Sequence, residues 1–461
     1  MEYIALNDIL NAVEGKILKK GTNDKFNHIS IDTRKVEKDG IFIAIKGEKY
    51  NANEFLPDAI RAGAALCIIE EIKYEDKDLN ENTSIIIVEN TRKALLKLAE
   101  FYRSTLDIKV VGITGSTGKT STKDMTYSIL SEKYKVYKTQ GNYNNEIGLP
   151  LTIFCLDNSY DIAVLEMGMS NFFEIHNMAK AAKPDLALIT NIGISHIENL
   201  KTRENILGAK LEITDYFNEK SKLILNVEND MLRSVKNDGK SYKIIRCGIS
   251  LEADIKADNV RLGENFVIFD VLEKNTLVYK DFKINAPGKH NILNALLAIE
   301  VGRSFGLTYD EMNEGIKKMQ MTSMRLDILK GKKYTIIDDC YNASPDSMKA
   351  AIDVLHNINA KRKIAILGSM RELGNEAYNA HKEVAAYAKD NSVDFLIVLG
   401  EFSSAYTDGF KNTDKMKCFD STDRAIEFIN KFLEDGDVIL VKASRAMKFE
   451  KIVDDIKELN N

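Results

Sequence analysis

Ile108-Lys109-Val110-Val111-Gly112-Ile113-Thr114-Gly115-Ser116-Thr117-Gly118-Lys119-Thr120-Ser121 decides the reading of this chain. An apolar, β-branched run stops abruptly in small residues, and a helix-compatible segment, Ser121 to Glu132, follows. The order is strand, phosphate loop, helix. Gly115, Ser116, Thr117 and Gly118 let backbone N–H groups come close to an anion, and the helix N-terminus adds its positive field. Lys119 then reaches the β- and γ-phosphates, the Thr120 hydroxyl suits Mg²⁺, and Ser121 extends the run of small hydroxyl residues. One position departs from the general pattern: the early glycine, six residues before the lysine, is Ile113. The competing structural reading is an ordinary glycine-rich turn between a strand and a helix.

At 461 residues the chain is too long for one core, so several domains are expected. A net charge of −5 gives nucleic acid or an anionic membrane no general attraction, so any anionic ligand depends on local donors. Cysteines 67, 155, 247, 340 and 418 are odd in number and scattered, without a CxxC pair. They suit a reducing compartment and argue against a structural zinc site. The N-terminus has no basic leader and no run approaches the length of a membrane span, so a cytoplasmic protein is expected.

Short elements fill residues 1–105, with apolar strands at 41–45, 66–70 and 84–88, a helix from 57 to 65, and a helix that Thr91 can cap. From 106 to 322 strands and helices alternate, the pattern of a mostly parallel sheet covered on both faces. The strand Asp161–Glu166 ends in a carboxylate, and the strand Asp185–Thr190 runs into an exit loop that carries His196. Ligands in such sheets bind beyond the carboxyl ends of the strands. Glu166 stands there as a candidate Mg²⁺ ligand; His196 taken alone reads more readily as a structural histidine than as a ligand. Short strands with polar turns at 248–285 suggest an antiparallel lobe. Asn291 and Asn294 then share one face of a helix, where carboxamides can read a nucleobase edge or merely cap the helix start. From 323 to 461 a second doubly wound unit follows, with strands near 334–339, 363–368, 394–400 and 437–441 and no phosphate loop of its own. The fold class is α/β in three domains: a smaller N-terminal α/β domain, a central P-loop domain with a doubly wound, mostly parallel sheet, and a C-terminal Rossmann-like domain.

Several stretches together resemble one family, the Mur ligases. They are Thr114-Gly-Ser-Thr-Gly-Lys-Thr120, Asn142-Tyr-Asn144-Asn145, Glu166-Met-Gly, Thr190-Asn-Ile-Gly-Ile-Ser-His196, Pro287-Gly-Lys-His290-Asn291-Ile-Leu-Asn294, Tyr341-Asn-Ala-Ser-Pro345 and Lys442-Ala-Ser-Arg445. They follow the family's order over nearly the whole chain. The forms around 142–145, 166–168 and 341–345 look most like the branch that adds D-alanyl-D-alanine to a UDP-N-acetylmuramoyl-tripeptide. The resemblance implies ATP and Mg²⁺, two ions of it, with UDP-muramyl peptide and D-Ala-D-Ala as small-molecule substrates and a monomeric enzyme. It implies that Thr120, Glu166, His196 and a carbamylated Lys210 hold metal, and that Lys119 acts on the phosphates. It further implies that Asn291, Asn294, Arg325 and Asp339 meet the nucleotide. Ser30, Thr33 and Arg34, with Asn142, Asn144 and Asn145, are then expected at the substrate. Without the resemblance, Lys210 reads as a solvated helix lysine and Arg34 as a solvated residue of a surface turn.

Three departures from the family pattern stand at Asn51-Ala52-Asn53, at Ser369 and at Ala443. The first lies in the region expected to hold the uridine nucleotide. Two rivals therefore stay open: a ligase of the same mechanism that joins a different acid and amine, such as a folylpolyglutamate-type enzyme, and a nucleotide-dependent switch that performs no ligation.

Overall fold

The computed structural model describes residues 1–47, 49–320 and 322–460. It divides into two compact units, one built from 1–114, 134–187 and 211–222, the other from 115–133, 188–210 and 223–461.

In the first unit the strands Ile29–Ser30, Ile41–Ile43, Leu66–Ile69 and Ser84–Ile87 lie parallel in that order, and Lys16–Lys19 closes the far edge antiparallel. Leu66–Ile69 is buried on both faces, as its unbroken apolar run requires. The helix expected at 57–65 runs over Leu56–Arg61. The helix Thr91–Ser104 buries Ala94, Leu95, Leu98, Ala99 and Tyr102 along one stripe. Its cap is Asn90, whose side chain accepts from the Lys93 N–H. Thr91, expected to cap, is the first helical residue, and its hydroxyl and N–H both donate to Glu70. A second, parallel set places Ile162–Glu166 between Lys109–Thr114 and Val136–Lys138. Its register pairs Glu166 with Ile113, two residues before Gly115 of the phosphate loop.

In the second unit the helix after the phosphate loop spans Lys119–Leu130. It starts two residues earlier than the sequence suggests, because Gly118 at φ 79° makes the sharp entry that lets Lys119 begin the helix. The expected antiparallel lobe is present: Ile255–Leu262, Val267–Glu273 and Thr276–Ile284 form a meander, joined in parallel to Lys243–Gly248. The helix His290–Ser304 is buried nearly all round, and Thr308 and Glu311 form a capping box on the helix Tyr309–Lys317.

The C-terminal sheet of this unit has the order Asp327–Lys330, Thr335–Asp338, Asp437–Lys442, Arg362–Leu367, Phe395–Leu399, Met416–Phe419. All neighbours are parallel except the first pair. Alternate residues face opposite layers, as the period of a strand demands. Ile337, Leu367, Val398 and Leu440 enter one core, while Ile336, Ile366, Ile397 and Val441 enter the other. Among the described residues no helix is long and apolar enough to cross a membrane. All five cysteines are free.

Candidate active site

The phosphate loop is held from below by the exit of the strand Leu186–Ile189. The Asn191 carbonyl accepts from the Ser116 N–H at 3.0 Å, and its side-chain oxygen accepts from the Thr117 N–H at 2.7 Å. The Thr190 hydroxyl donates to the Thr117 carbonyl, and the Ser116 hydroxyl accepts from the Gly193 N–H at 3.0 Å. Any side chain at Gly115 would collide with Thr190, so the glycine is required by this close approach. The anchoring leaves the first-turn N–H groups of the helix, at Lys119, Thr120 and Ser121, without carbonyls of their own helix to bond. This is the standard geometry for receiving phosphate oxygens. Lys119 folds back, its amine donating to the Gly115 carbonyl at 2.9 Å, and Thr120 is 4 % exposed in the first turn.

Asn294 lies against the same loop: a Cβ at Gly118 would sit 2.8 Å from its side-chain oxygen. Its amide also donates to Asn291 at 3.4 Å. Asn291 is fully buried and donates to the Pro287 carbonyl at 2.7 Å, so it braces the helix start and orients Asn294.

Lys210 lies on the helix Arg203–Leu211 and is 1 % exposed, not the solvated helix lysine that the bare sequence suggests. Burial pushes its amine well below the usual lysine range, and the charge of Lys119 pushes it further down. His196 begins the short helix Ile197–Leu200 with a left-handed backbone, φ 65°. Its Nδ1 is 2.5 Å from a carboxylate oxygen of Glu372, which lies off the line of a straight hydrogen bond. That contact holds the Glu372 carboxyl below its usual range.

Asp339 and Lys442 form a buried pair, and the Lys442 amine also donates to the Asn342 carbonyl at 2.9 Å. The second Asp339 oxygen accepts from the Leu326 N–H. Burial raises the Asp339 carboxyl, against the pull of Lys442. The Arg325 guanidinium stacks 4.2 Å over the Tyr341 ring, with that of Arg445 5.8 Å from the same ring. Asp339 is thus engaged within the protein, while Arg325 and Tyr341 form a flat cationic platform.

In the first unit Glu166 is 3 % exposed, accepts from the Asn144 amide at 2.8 Å, and is seated by its own N–H donating to Thr139. Asn145 accepts from the N–H groups of Ile147 and Gly148, fixing the start of the helix Gly148–Ile153. The structure gives Asn142 only a turn contact, its carbonyl accepting from Asn144. Ser30 is buried, its hydroxyl donating to the Asp32 carbonyl at 2.8 Å. Thr33 opens a turn of 3₁₀ helix, and Arg34 makes a two-pronged pair with Asp32 that holds the Asp32 carboxyl at about 2. The Arg34 side chain is 86 % exposed.

The departure at 51–53 has a structural explanation. Asn53 is fully buried, and its side-chain oxygen accepts from the N–H groups of Glu70 and Glu71. Asn51 links Asn53 to the Glu71 carboxylate. The two amides brace the end of a strand. As single residues Asn191 and Tyr341, inside stretches quoted above, and Glu372, near Ser369, carry no signal in the sequence. Their roles depend on partners distant in sequence.

Residues 113–302 match the family model of the Mur ligase middle domain, and 324–445 match that of the Mur ligase glutamate ligase domain. A UDP-N-acetylmuramoyl-tripeptide–D-alanyl-D-alanine ligase of Bacillus subtilis is 36 % identical over 460 residues, 98 % of each chain. The crystal structure of MurF from Acinetobacter baumannii superposes with a TM-score of 0.91 at 28 % identity, covering 99 % of both chains. MurF ligase from Thermotoga maritima, solved in complex with ADP, gives 0.83 at 28 % identity over 94 % of this chain and 97 % of its own. With a phosphate loop built as this one is, and relatives matched end to end, the chain belongs to the Mur ligase family.

Proposed function

We propose that the chain is an ATP-dependent, ADP-forming amide ligase that adds D-alanyl-D-alanine to a UDP-N-acetylmuramoyl-tripeptide, a step of peptidoglycan precursor synthesis. The observation that carries this reading is the end-to-end similarity to ligases of that name, joined to a phosphate loop that runs straight into a helix N-terminus. A different acid and amine, as in a folylpolyglutamate-type enzyme, is disfavoured by that similarity. A switch without ligation has no use for the second α/β domain. We assign the UDP-sugar peptide to residues 1–105, ATP to 106–322 and closure over both to 323–461, in a monomeric cytoplasmic enzyme.

A carboxylate is a poor acyl donor, and phosphorylation supplies its leaving group. A donor carboxylate oxygen attacks the γ-phosphorus and ADP departs. The dipeptide amine then attacks the acyl carbon, the phosphate leaves with the donor's oxygen, and the amine loses a proton as the amide forms. The first stage is mainly positioning and charge neutralisation. The N–H groups of the first helical turn bind the phosphates, and Lys119 swings from the Gly115 carbonyl to the β/γ oxygens. Asn294 borders the nucleotide beside Gly118, Asn291 keeps it in place, and the Arg325–Tyr341 platform offers the nucleotide a stacking face. Asp339 acts through Lys442 and Leu326, bracing the backbone beside Arg325 and Tyr341.

The donors fit Mg²⁺. Thr120, Glu166, His196 and, once carbamylated, Lys210 supply one hydroxyl, one carboxylate, one imidazole and one carbamate. Among the described residues no ready-made cluster of three His, Cys, Asp or Glu side chains exists. Mg²⁺ sites commonly take that form, with few protein ligands and the rest from phosphate oxygens and water. Mg²⁺ bound by these residues would neutralise phosphate charge.

The test of the mechanism is isotopic. With donor carboxylate labelled by ¹⁸O, one label is expected in the released phosphate. Label confined to the amide and to water overturns the acyl-phosphate route. A second measurement concerns the donor end: Arg34→Ala is expected to raise the donor KM several-fold with little change in kcat. An unchanged KM returns Arg34 to the role of a surface residue paired with Asp32.

A further inference from the structure

Two residues with left-handed backbones meet at the edge of the site. His196 has φ 65° and Glu372 has φ 63°. Such conformations strain a non-glycine residue and persist where the surroundings over-determine them. Here the surroundings do so on both sides. The Glu198 N–H donates to the Glu372 carbonyl at 3.3 Å, and Gly374, itself at φ 51°, lies close against Glu198. The other end of the segment 368–374 is fixed by a buried histidine on the helix Ala377–Asp390. His381 accepts from the Met370 N–H through Nε2 at 2.8 Å, and its Nδ1 lies 2.6 Å from the Ala377 carbonyl. An N–H donor at one nitrogen and a carbonyl at the other define His381 as neutral, with the proton on Nδ1. The Phe402 ring stacks on it at 4.2 Å. Glu372 is thus carried to His196 on a segment anchored at both ends.

We propose that Glu372 is a positioning residue for His196: its carboxylate holds the proton on Nδ1, which leaves Nε2 as the bare, lone-pair nitrogen. This rests on the reading above that His196 is a Mg²⁺ ligand, for which a bare nitrogen is required. A carboxylate oxygen 2.5 Å from Nδ1 favours a proton on that nitrogen over a bare lone pair facing it. Carboxylates that orient ligand histidines in this way commonly change metal affinity by about 10–100-fold when removed. Glu372 belongs to the C-terminal α/β domain and His196 to the loop after a strand of the P-loop domain. The contact therefore makes the correct tautomer conditional on the two domains being docked.

The ring state is read by ¹⁵N NMR of histidine-labelled protein at about pH 8, where free imidazole is neutral, with the His196 signals assigned by their loss in His196→Gln. The wild type is expected in the Nδ1–H form. Glu372→Ala is expected to move the ring to the Nε2–H form, and Glu372→Gln, whose amide oxygen still accepts, to keep Nδ1–H. The Nε2–H form in the wild type, or one unchanged tautomer in both wild type and Glu372→Ala, overturns the proposal. Mn²⁺ binding in the presence of ADP, followed by electron paramagnetic resonance, separates this from the metal assignment. About ten-fold weaker binding is expected in Glu372→Ala, and at least as much in His196→Ala. Unchanged Mn²⁺ binding in His196→Ala overturns the metal assignment, while the tautomer shift still decides the role of Glu372.

Discussion

Lys119→Ala is expected to lower acceptor-dependent phosphate release by about 10²–10³-fold or more, the loss that follows removal of one preorganised charge from a developing anion. Its fold is expected to survive. The Lys119 amine donates to the carbonyl of Gly115 in its own loop, and the side chain is half-buried. The loop itself is anchored by Asn191, Thr190 and Gly193, none of which the substitution touches. The check is a steady-state assay beside a thermal melt. A dead enzyme with an unchanged melt fits the assignment, and unchanged turnover in a folded variant removes Lys119 from the chemistry.

Lys210→Ala is expected to lose about 10–100-fold in activity, and acetate or formate at high concentration to restore part of it. The reasoning begins with burial. An ammonium at this place would be desolvated and would face the charge of Lys119, and both effects favour the neutral amine. The neutral amine is the form that adds CO₂, giving a carbamate and releasing a proton. A carbamate places an anionic oxygen on a long stem, which can answer both Lys119 and a divalent cation. Near-full activity in the alanine variant removes Lys210 from the site. Loss without rescue keeps the lysine essential and overturns the carbamate. Mass spectrometry of the intact protein near neutral pH in ¹³CO₂-enriched buffer, with the adduct trapped by alkylation, gives a readout independent of turnover.

Much of the architecture was legible because its signals are local. The run from Lys109 to Thr114, followed by glycines and Lys119, is a covalent sequence of strand, turn and helix, and no distant partner changes it. The strands at 362–367 and 395–399 are apolar on both faces and bounded by polar residues, so burial in a parallel sheet was their only satisfactory state. The strand Met416–Phe419 and the helix Ser403–Phe410 escaped notice. Met416-Lys-Cys-Phe419 is half exposed at a sheet edge and carries a lysine, so its composition is that of a loop. The phosphate loop and the buried carboxylate of Glu166 could be read from strand ends. The burial of Lys210 could not, because the helix that carries it has only weak apolar patterning and tertiary packing decides which face turns inward. Asn51 and Asn53 show the same limit from the other side. As sequence they read as a departure near a ligand; their use is to satisfy the backbone of Glu70 and Glu71.

The order of strands in the C-terminal sheet also bears on how the protein is made. Asp437–Lys442 is the last strand of the chain, yet it lies between Thr335–Asp338 and Arg362–Leu367 and pairs Thr335 with Val438. During synthesis the two flanking strands emerge early and wait with unpaired edges facing one another across a gap. Neither apolar layer of this sheet can close until Asp437–Lys442 has left the ribosome. Such long-range pairing slows folding, because loop closure precedes any gain from contact. Until it happens the nascent domain exposes two strand edges of the kind that recruit other chains. Completion of this sheet therefore depends on a strand translated well after both of its neighbours.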